Sequence, residues 1–252
     1  MTNQPSKRLR IFAGPNGSGK STIIRSIPDR IPLGFYINAD DIEKELRENS
    51  FLDFSKFDIH VETSELRSFI LKYGMTIQKL NDKDFHLRFL VEGNKISVGD
   101  TPLNSYIAAD LAEFIRQKLL ETHASFSFET VLSHPSKLEF IKKAKQNGYR
   151  IYLYFVATDS PEININRVAI RVAKHGHHVD EQLIRERYKR SLDLLFETVK
   201  FTDRAYLFDN SGKYYELVAE ITDGKKVEML DYDKQIPQWF IEYFYLKIST
   251  IG

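Results

Sequence analysis

The 252-residue chain has no cysteine at all. That excludes disulfides, catalytic thiols and thiolate zinc sites, and it suits a reducing cytosol. An excess of one charge is missing too: 36 Lys and Arg against 35 Asp and Glu leave a formal net charge of +1. Such a balance supplies no field to gather nucleic acid or an anionic membrane, so neither is an expected partner. No apolar run approaches the ~18 residues of a membrane span. The polar, basic opening from Met1 to Arg10 lacks the apolar stretch of a secretory signal. The expectation from these absences is a soluble, cytoplasmic protein. Internal repeats, low-complexity tracts and a flexible interdomain linker are also absent.

What is present is enough apolar side chain to build a core. Hydrophobic residues make up 42% and aromatics 13%, which argues against disorder. A chain of this length holds one elaborated α/β domain or two small ones. The most informative stretch is Gly14-Pro15-Asn16-Gly17-Ser18-Gly19-Lys20-Ser21, followed by Thr22. It fits the phosphate-loop pattern G-x-x-x-x-G-K-[ST] at every fixed position. Leu9 to Ala13 leads in as a strand, and Ser21 to Ile27 reads as the first turns of a helix. The glycines let successive N–H groups curl inward around phosphate, aided by the helix N-terminus. Lys20 would reach the β/γ-phosphates and the Ser21 hydroxyl would ligate Mg²⁺. The predicted ligand is a nucleoside triphosphate.

Pro28 and Pro32 break that helix, and Gly34 to Asn38 reads as a second strand ending in Asn38-Ala39-Asp40-Asp41. Carboxylates at the C-terminal end of a strand in an open parallel sheet stand where ligands bind. One acid can also cap the helix Ile42 to Leu46, leaving Asp40 as the candidate catalytic carboxylate. From Phe51 to Asn104 the pattern changes to closely spaced aromatics, a helical stretch over Thr63 to Tyr73, and a hairpin over Phe85 to Val98 turning at Glu92 to Lys95. These residues, 51–104, read as a small α+β insertion whose aromatics form its own core.

Helical periodicity resumes at Ser105, with Ile107, Leu111, Phe114, Ile115 and Leu119 on one face. Ser125 to Thr130 is a third strand ending in Glu129 and Thr130, an acid and a hydroxyl placed to meet a metal's water shell or a substrate hydroxyl. Pro135 and a Ser136-x-x-Glu139 capping box open a helix that closes at Gly148. Ile151 to Ala157 is continuously apolar, as a strand covered on both faces should be. Ser160-Pro161-Glu162 starts a helix carrying Arg167 and Arg171 on one face. After a break at Lys174 to Val179, Asp180 restarts it, with Arg187 and Arg190 following. Two arginine-bearing helices around a glycine break suit a lid over triphosphate, although Glu181, Glu186 and Asp193 offer ordinary surface partners. The histidines of the break read as exposed loop residues, not a metal site. Ala205 to Asp209 is a fifth strand whose terminal Asp209 rivals Glu129 as the metal-linked acid, but its late position favours reading Asp209-Asn210-Ser211-Gly212 as a base-binding loop. Tyr215 to Ile221 and Lys225 to Leu230 form a hairpin turning at Asp223-Gly224, and Ile236 to Ile248 a terminal amphipathic helix around Trp239.

The loop, Asn38-Ala39-Asp40-Asp41, Phe128-Glu129-Thr130, and the run Arg167-x-x-x-Arg171…Gly176-His177-x-Val179…Ile184-x-x-Arg187-Tyr188 together resemble the zeta-toxin-like P-loop kinases. The similarity covers about residues 7–48 and 105–212 and leaves the insertion aside. It implies a P-loop NTPase fold: a three-layer α/β/α arrangement with a mostly parallel central sheet and an adenylate-kinase-like core. On that reading residues 1–50 and 105–252 form the kinase core with a C-terminal hairpin and helix. The resemblance further implies ATP·Mg²⁺ as donor and a UDP-activated amino sugar, phosphorylated on a hydroxyl, as acceptor. By position, Asp40 corresponds to the base, Lys20 and Ser21 to the phosphate and metal contacts, Glu129 and Thr130 to the acceptor contacts, and Arg171 and Arg187 to the phosphate clamp. The insertion and the spacing after Glu129 depart from the pattern, both in the acceptor region. Whether an antitoxin partner exists is not legible from the residues. The competing readings are a polynucleotide or nucleoside kinase, for which no basic channel is evident, and a non-kinase ATPase or nucleotide-dependent binding module. No Leu-Ser-Gly-Gly-Gln signature and no Asn-Lys-x-Asp guanine motif accompanies the loop.

Overall fold

The apolar residues ahead of the glycine-rich loop form strand β1 (Arg8–Ala13), in which Leu9, Ile11, Phe12 and Ala13 are fully buried. The computed structural model describes residues 7–27, 31–99, 101–174, 178–230 and 235–249. Pro28 and the His175-Gly176-His177 part of the expected break lie outside the described residues. The chain divides into two compact units, Met1–Leu33 with Ser127–Gly252, and Gly34–Phe126.

The first unit is built on a mostly parallel sheet. Strand β7 (Arg150–Ala157) runs parallel to β1, and β8 (Arg204–Asp209) runs parallel to β7. The hairpin β9 (Glu216–Thr222) and β10 (Lys226–Met229) continues the sheet antiparallel, and β6 (Phe126–Thr130) flanks β1 on its other side. The strand period of two sorts the residues. Leu9, Ile11 and Ala13 register with Ile151, Leu153 and Phe155, which continue into Ala205 and Leu207, all with no exposed surface. The alternate positions place Phe12, Tyr154 and Tyr206 side by side, with ring centroids 5.0 and 5.1 Å apart.

Helices α1 (Lys20–Ser26), α6 (Pro135–Gln146), α7 (Pro161–Ala173) and α8 (Glu181–Val199) belong to this unit. Helix α8 begins where expected, with the Asp180 side chain accepting the Leu183 N–H at 3.1 Å. The capping box assigned to α6 does not form. His134 is the N-cap and accepts from the Ser136 N–H, while Glu139 pairs with Lys142 at 2.8 Å. Pro135 at the first helical position moves the cap one residue ahead of it. The expected terminal helix is also interrupted: Gln238–Phe240 is α-helical, Ile241–Tyr245 π-helical, and Leu246–Ser249 α-helical again. The wider turn brings Phe240 against both Phe244 and Tyr245, at 5.5 and 6.3 Å.

The second unit takes in the 51–104 segment together with β2 (Phe35–Ile37), α2 (Ala39–Asn49) and α5 (Ser105–Glu121). Its own small antiparallel sheet has the order β3 (Leu52–Asp53), β5 (Lys95–Ser97), β4 (Leu90–Glu92). Helix α3 (Thr63–Tyr73) has the expected bounds and is followed by α4 (Met75–Leu80). Leu52, Phe54, Leu66, Ile70, Phe85, Phe89 and Ile96 are almost wholly buried, so the aromatics do form a core. The hairpin is shorter than expected because Phe85–Arg88 is a 3₁₀ turn. Phe85 and Phe89 are buried four apart with rings 5.8 Å from each other, a helical and not a strand spacing. The buried Asp110 of α5 accepts the first N–H groups of α4, from Met75 at 2.7 Å and Thr76 at 2.9 Å. Among the described residues no helix is long and apolar enough to cross a membrane.

Candidate functional site

The glycine-rich loop is held in shape by its glycines. Gly14, Gly17 and Gly19 have φ of 139°, 78° and 100°, conformations that residues with a Cβ rarely adopt. Each is also boxed in. A Cβ on Gly14 would meet the Val156 carbonyl oxygen at 2.1 Å, one on Gly17 the Asn164 carbonyl oxygen at 2.5 Å, and one on Gly19 the Asn210 side chain at 2.1 Å. The loop thus lies against the C-terminal end of β7, the first turn of α7 and the residue after β8. The Ser18 N–H closes a turn onto the Pro15 carbonyl at 3.2 Å, and Thr22 bonds back to Gly19 at 2.9 Å as α1 begins.

Two asparagines bracket the loop. The Asn164 side-chain amide donates to the Asn16 carbonyl at 2.7 Å, and the Asn210 side-chain amide to the Ser18 carbonyl at 2.7 Å. Asn164 is wholly buried, and its Oδ1 accepts a short hydrogen bond from the Thr158 hydroxyl. The Thr158 carbonyl in turn accepts from the Tyr188 hydroxyl at 2.6 Å, which fixes the middle of α8 close by. Burial keeps that phenol well above its ordinary range. The Lys20 ammonium folds over the loop and donates to the Gly14 and Pro15 carbonyls at 2.9 and 3.1 Å. Ser21 and Thr22 are exposed, whereas Ser18 is buried with a hydroxyl that has no hydrogen-bond partner among the described residues.

Beside the loop is a cavity of about 360 Å³ lined by Gly19, Thr22, Arg167, Asn210, Lys213, Tyr214 and Tyr215. The loop after β8, expected to hold a base, forms one wall. Arg167 donates a long 3.4 Å bond to the Gly212 carbonyl through one nitrogen, and its other terminal nitrogen is buried with no acceptor among the described residues. Asp209 takes no metal-like position, because its carboxylate is occupied by Ser211 and by the Trp239 indole.

The remaining expected residues are more scattered. Arg171 is exposed on the last turn of α7, and Arg187 is half-buried on α8; neither lines the cavity. The acids of these helices serve other residues: Arg185 bridges Glu162 and Glu181, and Arg190 pairs with Glu186 at 3.6 Å. The Arg185 hydrogen bond holds Glu162 below its usual value. Glu129 is half-buried near the end of β6, and the Thr130 hydroxyl accepts the Leu132 N–H at 3.1 Å. Asp40 lies in the second unit and is exposed in the first turn of α2. Neither Asp40 nor Asp41 is the cap: Asn38 is, accepting the Asp40 N–H at 2.8 Å, and α2 therefore starts three residues earlier than expected. Burial and the Asp40 charge raise the Asp41 carboxyl, against Lys44.

For the implied Mg²⁺, the donor chemistry is a single exposed hydroxyl, Ser21, and no cluster of three or more His, Asp or Glu stands among the described residues. That fits an ion that arrives on the phosphates and keeps most of its own oxygen shell. The residues that sequence reasoning missed are Asn164, the role of Asn210, and Trp239. Asn164 carried a signal. It is four residues before Val168, so a polar side chain sits in phase with the buried stripe of α7.

A boxed glycine loop at the end of a parallel strand, with its lysine and bracketing amides, defines a P-loop α/β protein. Residues 104–216, a little under half of the chain, match the family model for zeta toxin, and over that span the chain is similar to it. A segment of 69 residues is 33% identical to an uncharacterized protein of Haemophilus influenzae, covering 27% of this chain and 49% of that one, so the chain spans about half the length of this curated relative. The fold is shared with the pneumococcal PezAT toxin–antitoxin system of Streptococcus pneumoniae (TM-score 0.52, 14% identity, 99% of this chain and 85% of that one). It is also shared with the AvrRxo1-ORF1:ORF2 complex crystallised with ATP (TM-score 0.51, 12% identity, 89% of this chain and 60% of that one).

Proposed function

We propose that the chain is an ATP-dependent kinase that transfers the γ-phosphoryl group to a hydroxyl of a small acceptor, with a UDP-activated sugar as the first candidate. The observation that carries this reading is the phosphate loop, whose three constrained glycines, lysine and two bracketing asparagines are already in place. Phosphoryl transfer asks for positioning and charge stabilisation more than for covalent help, and such a loop supplies both. The zeta-toxin match and the fold shared with an ATP-bound complex support ATP as the donor.

In this reading the loop residues Gly14 through Thr22, by those backbone N–H groups not engaged within the loop, and Lys20 hold the β- and γ-phosphates. Lys20 gives up its two carbonyl acceptors for phosphate oxygens, a charge-assisted exchange. The base enters the cavity of about 360 Å³, where the Arg167 guanidinium and the rings of Tyr214 and Tyr215 offer flat faces and one guanidinium nitrogen has no acceptor among the described residues. Ser21 would hold Mg²⁺, which supplies charge neutralisation on the phosphate oxygens when bound. Arg171 and Arg187 stabilise the charge that spreads over the transferring group, Glu129 and Thr130 bind the acceptor, and Asp40 accepts its hydroxyl proton.

Incubation of the protein with γ-labelled ATP, Mg²⁺ and a panel of sugar nucleotides, nucleosides and oligonucleotides tests this. Label is expected on a sugar-nucleotide hydroxyl. Label found only as free phosphate in every reaction would remove the kinase reading.

A further inference from the structure

We propose that Trp239, 30 residues beyond Asp209, is a positioning residue for the phosphate loop, acting through Asp209 and Asn210. This rests on the nucleotide-binding reading above. Strand β8 ends at Asp209, and the next residue, Asn210, donates its backbone N–H to the Ala157 carbonyl at 2.8 Å and its side-chain amide to the Ser18 carbonyl at 2.7 Å. Where Asn210 stands therefore decides where the loop's fifth residue stands. Gly19 has no room to absorb a shift, since the same side chain fills the space a Cβ would need.

The Asp209 carboxylate fixes the backbone just before Asn210. Its Oδ1 accepts from the Trp239 indole N–H at 2.9 Å and from the Ser211 hydroxyl at 2.8 Å, and its Oδ2 accepts the Ser211 N–H at 3.0 Å. Asp159, just past the end of neighbouring β7, donates its N–H to the Ser211 hydroxyl at 2.8 Å. Burial and the Asp209 charge hold the Asp159 carboxyl above its ordinary value, against the pull of the Gln238 N–H. The indole itself is 2% exposed and packs tilted against Phe155 and edge-to-face against Phe240, with ring centroids 6.2 and 5.9 Å away. A buried indole N–H needs an acceptor, and here that acceptor is the strand-end aspartate next to the loop's bracket.

The chain's single tryptophan makes the test direct. In the unaltered full-length protein, ATP is expected to change the Trp239 emission, because the indole is linked to the loop that receives the phosphates. Trp239→Phe keeps a ring against Phe155 and Phe240 but removes the N–H. By calorimetry its ATP dissociation constant is expected to rise about five- to tenfold, one charge-assisted hydrogen bond partly transmitted. Phe244→Leu, in the same segment but packed on Phe196, should lower the melting temperature comparably and leave ATP affinity unchanged. Wild-type affinity in Trp239→Phe, or an equal loss in Phe244→Leu, overturns the proposal while ATP binding stands. An emission that ignores saturating ATP, with binding confirmed by calorimetry, also overturns it. Absence of ATP binding in the unaltered protein removes the nucleotide reading itself, and this inference with it.

Discussion

Asn164→Asp replaces a single atom of the loop bracket and has a cost that the geometry fixes. The side-chain nitrogen that donates to the Asn16 carbonyl at 2.7 Å becomes an oxygen, so two acceptors face each other in a site with no solvent exposure. The new carboxyl can restore the bond only by holding a proton. At pH 7 that means roughly three pH units above the ordinary aspartate value, at roughly 1.4 kcal/mol each, or about 4 kcal/mol. Against a total stability of about 5–15 kcal/mol the variant should still fold, but with a much lower urea midpoint. Its signature is the pH dependence. A folded-state value raised above the unfolded one makes protonation favour the fold, so the deficit is largest at neutral pH and shrinks as pH falls. Between pH 7 and 5 the gap to wild type should close by about 2.7 kcal/mol in urea unfolding. At neutral pH ATP affinity should fall at least about tenfold, because the loop's third residue, Asn16, loses its tether. A variant within about 0.5 kcal/mol of wild type at pH 7, or a gap that ignores pH, would refute the bracket as described.

Three further outcomes follow from the same geometry. Lys20→Ala should weaken ATP binding at least about tenfold in calorimetry, and unchanged affinity would remove its phosphate role. Asp40→Asn should lower turnover by about 10²- to 10⁴-fold with ATP affinity within about twofold of wild type. Lost affinity would instead point to a structural or metal-linked role. In the second unit, burial holds Asp110 above the ordinary carboxylate value of 3.8 although two backbone N–H groups pull the other way. Its contribution to stability is then full below 3.8 and lost as pH rises through the folded-state value. The non-titrating Asp110→Asn should therefore gain on wild type in urea unfolding as pH rises from about 4 to 7, and a constant difference would count against it.

The elements that read clearly from sequence are those in which local preference and burial agree. Helix α3 has the expected bounds, helix α5 starts at the expected Ser105, strand β1 begins one residue earlier than expected, and the Asp223-Gly224 hairpin turns where expected, with Gly224 at φ 65°. The errors share a cause. At α6, α2 and Phe85 the sequence offered two chemically acceptable solutions, and a contact decided between them. His134 took the cap from Ser136, Asn38 took it from the paired aspartates, and Phe85 and Phe89 joined one core at helical spacing. The π-helical turn in the C-terminal segment has no sequence signature.

The candidate site was legible as far as its motif reached. Gly14 to Thr22 announced the loop, since the glycines and the lysine are the chemistry itself. The brackets were barely legible: Asn164 showed only as a polar residue in phase with the buried stripe of α7, and the bond from Asn210 to a loop carbonyl leaves no pattern of spacing. Asp209 illustrates the difference. A strand-end aspartate can serve a metal or a scaffold, and only the indole and hydroxyl found against it settle on the scaffold.

The separations spanned by those brackets bear on how the protein is made. Asn164 reaches back 148 residues to Asn16, and Asn210 reaches back 192 to Ser18. During synthesis the glycine loop leaves the ribosome long before the groups that hold its carbonyls, which follow 148 and 192 residues later. Contacts of such range form late, after the entropy of closing very large loops has been overcome. The newborn loop is therefore a floppy glycine segment, and the nucleotide cannot act as a template for early folding. It can only trap the finished fold, so ATP should slow unfolding of the mature protein while leaving the refolding rate nearly unchanged.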